Sequence, residues 1–153
     1  SALTLPYLKA AGSGAIVMVG SLAGRAPLQG AACYASTKAG LRAFTYSLAD
    51  ELRGSGVAVG VVSPGPINTG FIMDSIDEVE DIVYSQPMST AEQVAENIAK
   101  IASGVSVEIT MTKLSGKLTT LAYLFPRLRR ALRKSLYAKG RKNKEKYRQV
   151  SKP

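Results

Sequence analysis

The chain has 153 residues, of which 46% are hydrophobic, so it is long and apolar enough to form one folded domain. It contains no histidine, which excludes a Ser-His-Asp triad, a Cys-His pair and histidine metal sites. Its single cysteine excludes an internal disulfide framework, and we expect no metal site. The net charge of +9 comes from residues 113–153, where fourteen Lys or Arg accompany one acid, against six and ten in residues 1–112.

The first half of the chain alternates between strand and helix patterns. Residues 15–20 form a short apolar run bounded by glycines, as is typical of a strand covered on both faces. The spacing of apolar residues predicts a helix from residue 32 to about residue 53, ending at Gly54. Residues 57–62 are the next buried strand, which the turn Pro64-Gly65-Pro66 ends.

The second half continues this alternation. Residues 71–83 predict a short helix or lid whose acids form a solvated face rather than a metal site. Ser89 and Glu92 match a capping box that opens a helix to about residue 103, and residues 107–112 predict a last strand. This order of elements favours an α/β fold, in which a parallel sheet lies between two layers of helices joined by right-handed crossovers.

Tyr34 and Lys38 stand four residues apart at the start of the first long helix, and Ser21 follows the first strand. Residues four apart on a helix lie on one face, with Cβ atoms about 5–6 Å apart, so the lysine ammonium can lie beside the phenol. A free phenol is a poor acid or base at neutral pH, but a neighbouring cation favours its ionised form. The Ser21 hydroxyl can hold a substrate oxygen while Tyr34 transfers the proton. These residues therefore predict a proton-transfer site.

Three segments together resemble the short-chain dehydrogenases/reductases. Residues 16–24, which include Ser21, resemble the strand that carries the family's active-site serine. Residues 34–40 read Tyr-Ala-Ser-Thr-Lys-Ala-Gly and resemble its YxxxK helix, and residues 61–69 resemble its later strand with the Pro-Gly turn. The order and spacing of the three segments, rather than any one of them, carry the resemblance.

The resemblance implies an enzyme that interconverts a carbonyl and an alcohol with NAD or NADP on a Rossmann-like three-layer fold. In that family the tyrosine is the acid/base, the lysine assists it and binds the nicotinamide ribose, and the serine orients the substrate. The implied catalytic residues are Ser21, Tyr34 and Lys38, and the implied cofactor-binding residues are Tyr34, Lys38, Pro64, Gly65, Ile67 and Thr69. The family often dimerises through helices beside the active site, so we expect a homo-oligomer.

The glycine-rich turn that binds the pyrophosphate in this family does not occur near the start of the chain. Residues 1–9 read instead as the end of a helix that leads to the serine strand. We therefore expect residues 1–112 to be the C-terminal portion of a Rossmann domain of this family, inactive alone. Since the strand at 15–20 then lacks one neighbour, we also expect the isolated chain to be unstable or to self-associate.

Residues 113–153 predict a basic amphipathic helix and a tail. The apolar positions at helical spacing are Leu118, Leu121, Phe125, Leu128, Leu132 and Leu136. Pro126 should divide the helix, and the segment beyond Ala138 has no apolar face and is predicted to be disordered.

Three roles are open for this basic segment: a lid whose apolar stripe covers a hydrophobic substrate, attachment to an anionic membrane surface, or, least favoured, nucleic-acid binding. No apolar run approaches the roughly 18 residues of a spanning helix, and we expect a cytoplasmic protein, with peripheral membrane association as the alternative. For the chain as a whole, the alternative to an enzyme is a non-catalytic interaction or dimerisation module, or a membrane-surface-binding protein on a truncated fold.

Overall fold

The computed structural model describes residues 3–74 and 76–150. Predictions that fall on Ser1, Ala2, Ser75 and residues 151–153 lie outside the described residues. The described part contains a three-stranded parallel sheet in the order β1-β2-β3. Strand β1 is Gly14–Val19, β2 is Val57–Ser63 and β3 is Glu108–Thr110. The predicted α/β fold with a parallel sheet is confirmed.

Six α-helices and two short 3₁₀ turns surround this sheet in the described residues. The helices are α1 (Leu5–Ala10), α2 (Ala32–Glu51), α3 (Gly70–Met73), α4 (Ala91–Ala102), α5 (Lys113–Leu124) and α6 (Pro126–Val150). We refer to Leu22–Gly24 with its N-cap Ser21 as the Ser21 turn, and to Asp81–Ser85 as the Asp81 turn. The bounds of β1, α2, β2 and α4 lie within a few residues of those predicted, but the helix or lid predicted at residues 71–83 is an α-helix only as far as Met73.

Helices cover both faces of the sheet. Because side chains alternate along a strand, Val57 and Val59 of β2 pack with Leu48 of α2 and with Leu52, the C-cap of that helix. Val62 points to the other face and packs with Val94 and Ile101 of α4. Strand β2 is therefore buried on both sides, which explains its continuous apolar sequence.

Strand β1 lies at one edge of the sheet. Its register pairs Gly14 with Val57 and Val19 with Val62, and among the described residues it has no second partner strand. Helix α4 differs in detail from its prediction, because its capping box consists of Thr90 and Gln93 instead of Ser89 and Glu92. Ser89 is instead buried and forms a bridge to Ile67.

The basic segment is helical through most of its length. Helix α5 ends at Leu124 and α6 begins at Pro126, so the predicted division at the proline is confirmed. Helix α6 then continues to Val150, where the sequence predicted disorder beyond Ala138. The sequence of that region has no apolar face, but in the structure it packs on the Asp81 turn through polar groups and through Tyr147, whose ring centroid lies 6.1 Å from that of Tyr84.

Several polar contacts fix α6 on the Asp81 turn. The Asp81 carboxylate pairs with Arg141 at 3.1 Å and with Lys144 at 3.2 Å, and Asn143 donates to the Tyr84 carbonyl at 2.9 Å. A Cβ at Gly140 would lie 1.8 Å from the Asp81 carbonyl oxygen, so only glycine permits this approach. The acids of residues 71–83 therefore do not form a purely solvated face, because Asp81 binds the basic helix.

The two halves of the basic segment differ in their exposure. The apolar side chains of α5 and the start of α6 remain exposed, whereas the second half of α6 packs on the Asp81 turn. Within residues 3–74 and 76–150, no helix is both long enough and apolar enough to cross a membrane.

Candidate active site at the carboxyl ends of the strands

The Ser21 turn leaves the carboxyl end of β1 and is held against the end of β2. The Gly20 amide donates to the Val62 carbonyl at 2.7 Å, and the Leu22 amide donates to the Pro64 carbonyl at 2.9 Å. Ser21 is extended, and its hydroxyl accepts a hydrogen bond from the Ala23 amide at 3.1 Å. Ligands of open α/β sheets bind at this edge of the sheet, so the predicted serine is suitably placed.

The tyrosine and the lysine lie together on the first two turns of α2. The Lys38 ammonium is 5.7 Å from the centroid of the Tyr34 ring. It also donates a hydrogen bond to the Val19 carbonyl at 3.0 Å, which ties α2 to the end of β1. Tyr34 is 39% exposed, so a substrate can reach its side chain.

Gly24 allows the Ser21 turn to approach α2 closely. A Cβ at this position would lie 2.6 Å from both the carbonyl carbon and the carbonyl oxygen of Lys38. Such contacts are too short for any side chain, so the glycine is required by packing. The close approach brings the segments that carry Ser21 and Lys38 together.

The Pro64-Gly65 turn joins this arrangement at the end of β2. An added Cβ on Gly65 would meet the Leu22 side chain at 3.4 Å, so this turn packs on the Ser21 turn. Ile67 lies further along, where it pairs with Ser89, and Thr69 precedes α3 as its N-cap. The structure thus brings the segments of Ser21, Tyr34, Lys38 and Pro64-Gly65 together and places Ile67 and Thr69 on the loop that follows.

A buried carboxylate beside these segments, Glu108, was not predicted from the sequence. The Glu108 side chain is 5% exposed and accepts hydrogen bonds from Arg25, Arg42, Tyr46 and Ser63. Burial alone would raise the pKa of Glu108, but hydrogen bonds from Arg42, Arg25 and Ser63 outweigh it and lower the pKa to about 2. The signal in the sequence was an acid between the apolar residues Val107 and Ile109.

No cluster of metal-ligating side chains occurs in the part of the chain that the structure describes. The arrangement at the strand ends consists of a hydroxyl, a phenol and an ammonium on neighbouring segments. The fold therefore places these groups at the edge of the sheet where α/β proteins of the doubly wound class bind their ligands.

Comparison with known proteins identifies the family. The family model described as short chain dehydrogenase matches residues 1–80. The chain is 32% identical over 112 residues to the ketoacyl reductase HetN of Nostoc sp., covering 72% of this chain and 38% of that protein. It is 35% identical over 101 residues to the 3-oxoacyl-[acyl-carrier-protein] reductase FabG of Escherichia coli, covering 63% and 41%. The chain belongs to the short-chain dehydrogenase family.

Solved structures agree with this assignment. The structure of ElxO with NADP bound matches with a TM-score of 0.61 and 27% identity, covering 73% of this chain and 51% of that one. A short-chain dehydrogenase from Mycobacterium paratuberculosis bound to NAD matches at 21% identity and a TM-score of 0.56, covering 69% and 46%, and supports the Rossmann-like fold. The chain spans about 40% of the length of the reductases it matches and about half of these structures.

Proposed function

We propose that the full-length protein containing this chain is an NAD(P)-dependent oxidoreductase that interconverts a carbonyl and an alcohol. The observation that carries this proposal is the placement of the Lys38 ammonium, 5.7 Å from the Tyr34 ring and hydrogen-bonded to the end of β1. Membership of the short-chain dehydrogenase family and the reductase names of its relatives support it.

In this mechanism Tyr34 gives a proton to the substrate oxygen during reduction and removes it during oxidation. The positive charge of Lys38 stabilises the phenolate that remains after the proton has left. The Ser21 hydroxyl donates a hydrogen bond to the same substrate oxygen and so fixes the carbonyl carbon for attack. When bound, the nicotinamide supplies the chemistry of hydride exchange.

The residues present fit the nicotinamide half of such a cofactor. An ammonium has three N–H donors, and Val19 accepts one from Lys38, so the others can reach ribose hydroxyls. Pro64, Gly65, Ile67 and Thr69 supply the backbone beside the nicotinamide amide in this proposal. The sequence offers no glycine-rich turn for the pyrophosphate near its start, so residues 1–153 alone should bind the cofactor weakly.

The proposed substrate class is a small ketone or aldehyde. The relatives named for ketoacyl, acetoacetyl-CoA and sulfoacetaldehyde reduction support a carbonyl substrate. Both NAD and NADP are included in the proposal, since one structural relative is bound to each.

Turnover of a Tyr34→Phe variant tests this function. The full-length protein is assayed with NADH and NADPH against 3-oxoacyl thioesters and sulfoacetaldehyde. We expect the variant to lose at least about a hundredfold in kcat, as is typical for loss of a general acid. The matched control is Tyr7→Phe, because Tyr7 is an exposed tyrosine on α1. Full turnover in Tyr34→Phe would show that the mechanism is wrong.

We further propose that the protein is a homo-oligomer that associates through α2. Phe44 is 46% exposed on this helix, and burial against a second copy would remove it from water. The molar mass of the full-length protein in solution tests this. A dimer that becomes a monomer on Phe44→Asp is the expected result, and a monomeric wild-type protein contradicts it.

One observation favours a second candidate function, attachment to an anionic membrane surface. The apolar residues Leu118, Leu121, Phe125, Leu128 and Leu132 are 41–54% exposed. The segment 113–139 carries eight Lys or Arg and no acid. Arg127 and Arg130 line an open surface cavity of about 470 Å³ where α5 meets α6. Such a basic, apolar face suits anionic lipid headgroups, where each cation contributes roughly 1 kcal/mol.

Vesicle co-sedimentation separates this candidate from the first. The full-length protein should bind phosphatidylglycerol vesicles more strongly than phosphatidylcholine vesicles, and Leu128→Ser should weaken that binding. Leu3→Ser changes an exposed leucine outside the basic segment and serves as the control. Equal binding to both vesicles, or no binding, would remove the membrane role and leave the enzymatic proposal intact.

A further inference from the structure

Glu108 is a charged residue at the start of β3, the shortest strand of the sheet. Its partner in the β2–β3 register is Val61, whose side chain is fully buried. A buried carboxylate is costly unless it is paired and hydrogen-bonded, so the groups that surround it must compensate for the lost water. The identity of these groups indicates what the residue does.

The first group comes from the segment that follows the serine. Arg25 is the C-terminal cap of the Ser21 turn, and its guanidinium pairs with the Glu108 carboxylate. The same guanidinium donates to Thr120 of α5 at 2.8 Å. Glu108 and α5 therefore fix Arg25 from two sides, four residues after Ser21.

The second group comes from the helix that carries Tyr34 and Lys38. Arg42 donates from Nε and Nη2 to Glu108 at 3.0 and 2.9 Å, and the Tyr46 hydroxyl donates to the same carboxylate oxygen at 3.0 Å. Arg42 and Tyr46 follow Lys38 by one and two helical turns. This contact fixes the rotation of α2 about its own axis, which decides where Tyr34 points.

The third group comes from the strand that precedes the Pro-Gly turn. The Ser63 hydroxyl donates to the other Glu108 oxygen at 2.8 Å, and Pro64 is the next residue. The two oxygens of one carboxylate thus hold three segments. Each of these segments carries part of the candidate active site.

We propose that Glu108 is a positioning residue for the candidate active site, holding Ser21, the Tyr34–Lys38 pair and the Pro64-Gly65 turn in one fixed arrangement. This inference rests on the proposed function. Rates are sensitive to such positioning, because a displacement of about 1 Å away from the chemistry can cost on the order of a hundredfold. A hydrophobic residue at this position could fill the space but could not orient two guanidinium groups and two hydroxyls.

Kinetics of Glu108→Gln in the full-length enzyme tests the proposal. Glutamine keeps the shape but loses the charge and one acceptor, so we expect kcat to fall by about tenfold to a hundredfold. The KM for the carbonyl substrate should stay within about twofold. Rates are expressed per cofactor-binding site, measured by titration, so that unfolded protein does not count. Asp50→Asn removes an exposed carboxylate of α2, paired with Arg53, and should leave kcat unchanged.

A milder variant keeps the test decisive if Glu108→Gln does not fold. Tyr46→Phe removes only one hydroxyl from the cluster, at an exposed position of α2, so the protein should fold. We expect kcat to fall several-fold, while the number of cofactor-binding sites per protein chain stays equal to that of wild type. Glu108→Asp retains the charge and should recover part of the activity lost in Glu108→Gln.

The outcomes distinguish this inference from the proposed function. If the wild-type protein has no nicotinamide-dependent turnover, or Tyr34→Phe keeps it, the proposed function is wrong. If wild type is active and Tyr34→Phe is not, while Glu108→Gln or Tyr46→Phe keeps the wild-type kcat per binding site, only the positioning role is wrong. A lowered kcat with full cofactor-binding stoichiometry supports it.

Discussion

Glu108 and Asp81 each hold two cations, but they do so in different surroundings. The Glu108 side chain is 5% exposed and joins Arg25 to Arg42 beside the sheet, whereas the Asp81 side chain is 21% exposed and joins Arg141 and Lys144 on α6. The first cluster connects segments of the α/β domain, and the second fastens the C-terminal helix to a surface turn. Burial, rather than the number of partners, should therefore decide how much each cluster contributes to stability.

Removing the buried carboxylate should have the largest effect. Glu108→Ala leaves two guanidinium groups beside the sheet without their counter-charge, and we expect a loss of about 3–5 kcal/mol in the free energy of unfolding. Urea denaturation of the full-length protein measures it. A loss below about 1 kcal/mol would show that the cluster is solvated and that the comparison with Asp81 fails.

Protonation of Glu108 at low pH should lower the free energy of unfolding by nearly as much as Glu108→Ala. The pKa of Glu108 is about 2 in the folded protein and near 4.5 when unperturbed, so its stabilisation is complete above the unperturbed value and is lost as the pH falls towards the folded value. At about 1.36 kcal/mol per pKa unit the total is on the order of 3 kcal/mol. Stability measured between about pH 6 and pH 3 should therefore fall more steeply in wild type than in Glu108→Gln. Equal slopes would contradict this.

Two helical glycines should respond in opposite directions to alanine. Gly140→Ala places a Cβ 1.8 Å from the Asp81 carbonyl oxygen, so α6 must shift, at a cost of about 1–3 kcal/mol. Gly40→Ala in α2 meets no atom within 4 Å, and the higher helix propensity of alanine should stabilise the protein by about 0.5–1 kcal/mol. Thermal unfolding compares the two, and a stabilising Gly140→Ala would show that α6 does not pack on the Asp81 turn.

The smallest effect is expected at the exposed pair of α2. Asp50 and Arg53 are 2.7 Å apart, and the Asp50 side chain is 72% exposed. Water and salt screen such pairs, so Asp50→Asn should change the free energy of unfolding by less than about 0.5 kcal/mol. The same urea titrations measure it. A loss comparable to that of Glu108→Ala would mean that burial does not decide the strength of these pairs.

The strands and the motif-bearing segments were predictable because their signals are local. Residues 57–62 are apolar without interruption, and Lys38 follows Tyr34 by one helical turn, so both can be read from a few neighbouring positions. The division of the basic segment at Pro126 is local in the same sense.

The two ion clusters could not be predicted, because their members are distant in sequence. Glu108 lies 83 residues from Arg25 and 66 from Arg42, and only the sheet register brings them together. The order of α6 beyond Ala138 depends in the same way on Asp81, which is 60 residues from Arg141. Because the sequence of α6 beyond Ala138 has no apolar face, it does not indicate that this segment packs on Asp81.

Hydride transfer from a deuterated cofactor tests the roles of Tyr34 and Lys38. The full-length protein is incubated with the reduced nicotinamide cofactor carrying deuterium at both C4 positions and with the carbonyl substrate that gives the highest turnover. We predict that the alcohol product of the wild-type protein carries deuterium on the former carbonyl carbon, and that Tyr34→Phe yields almost none. Product without deuterium, or equal labelling by Tyr34→Phe, would contradict the assignment of Tyr34 and its neighbour Lys38 to this chemistry.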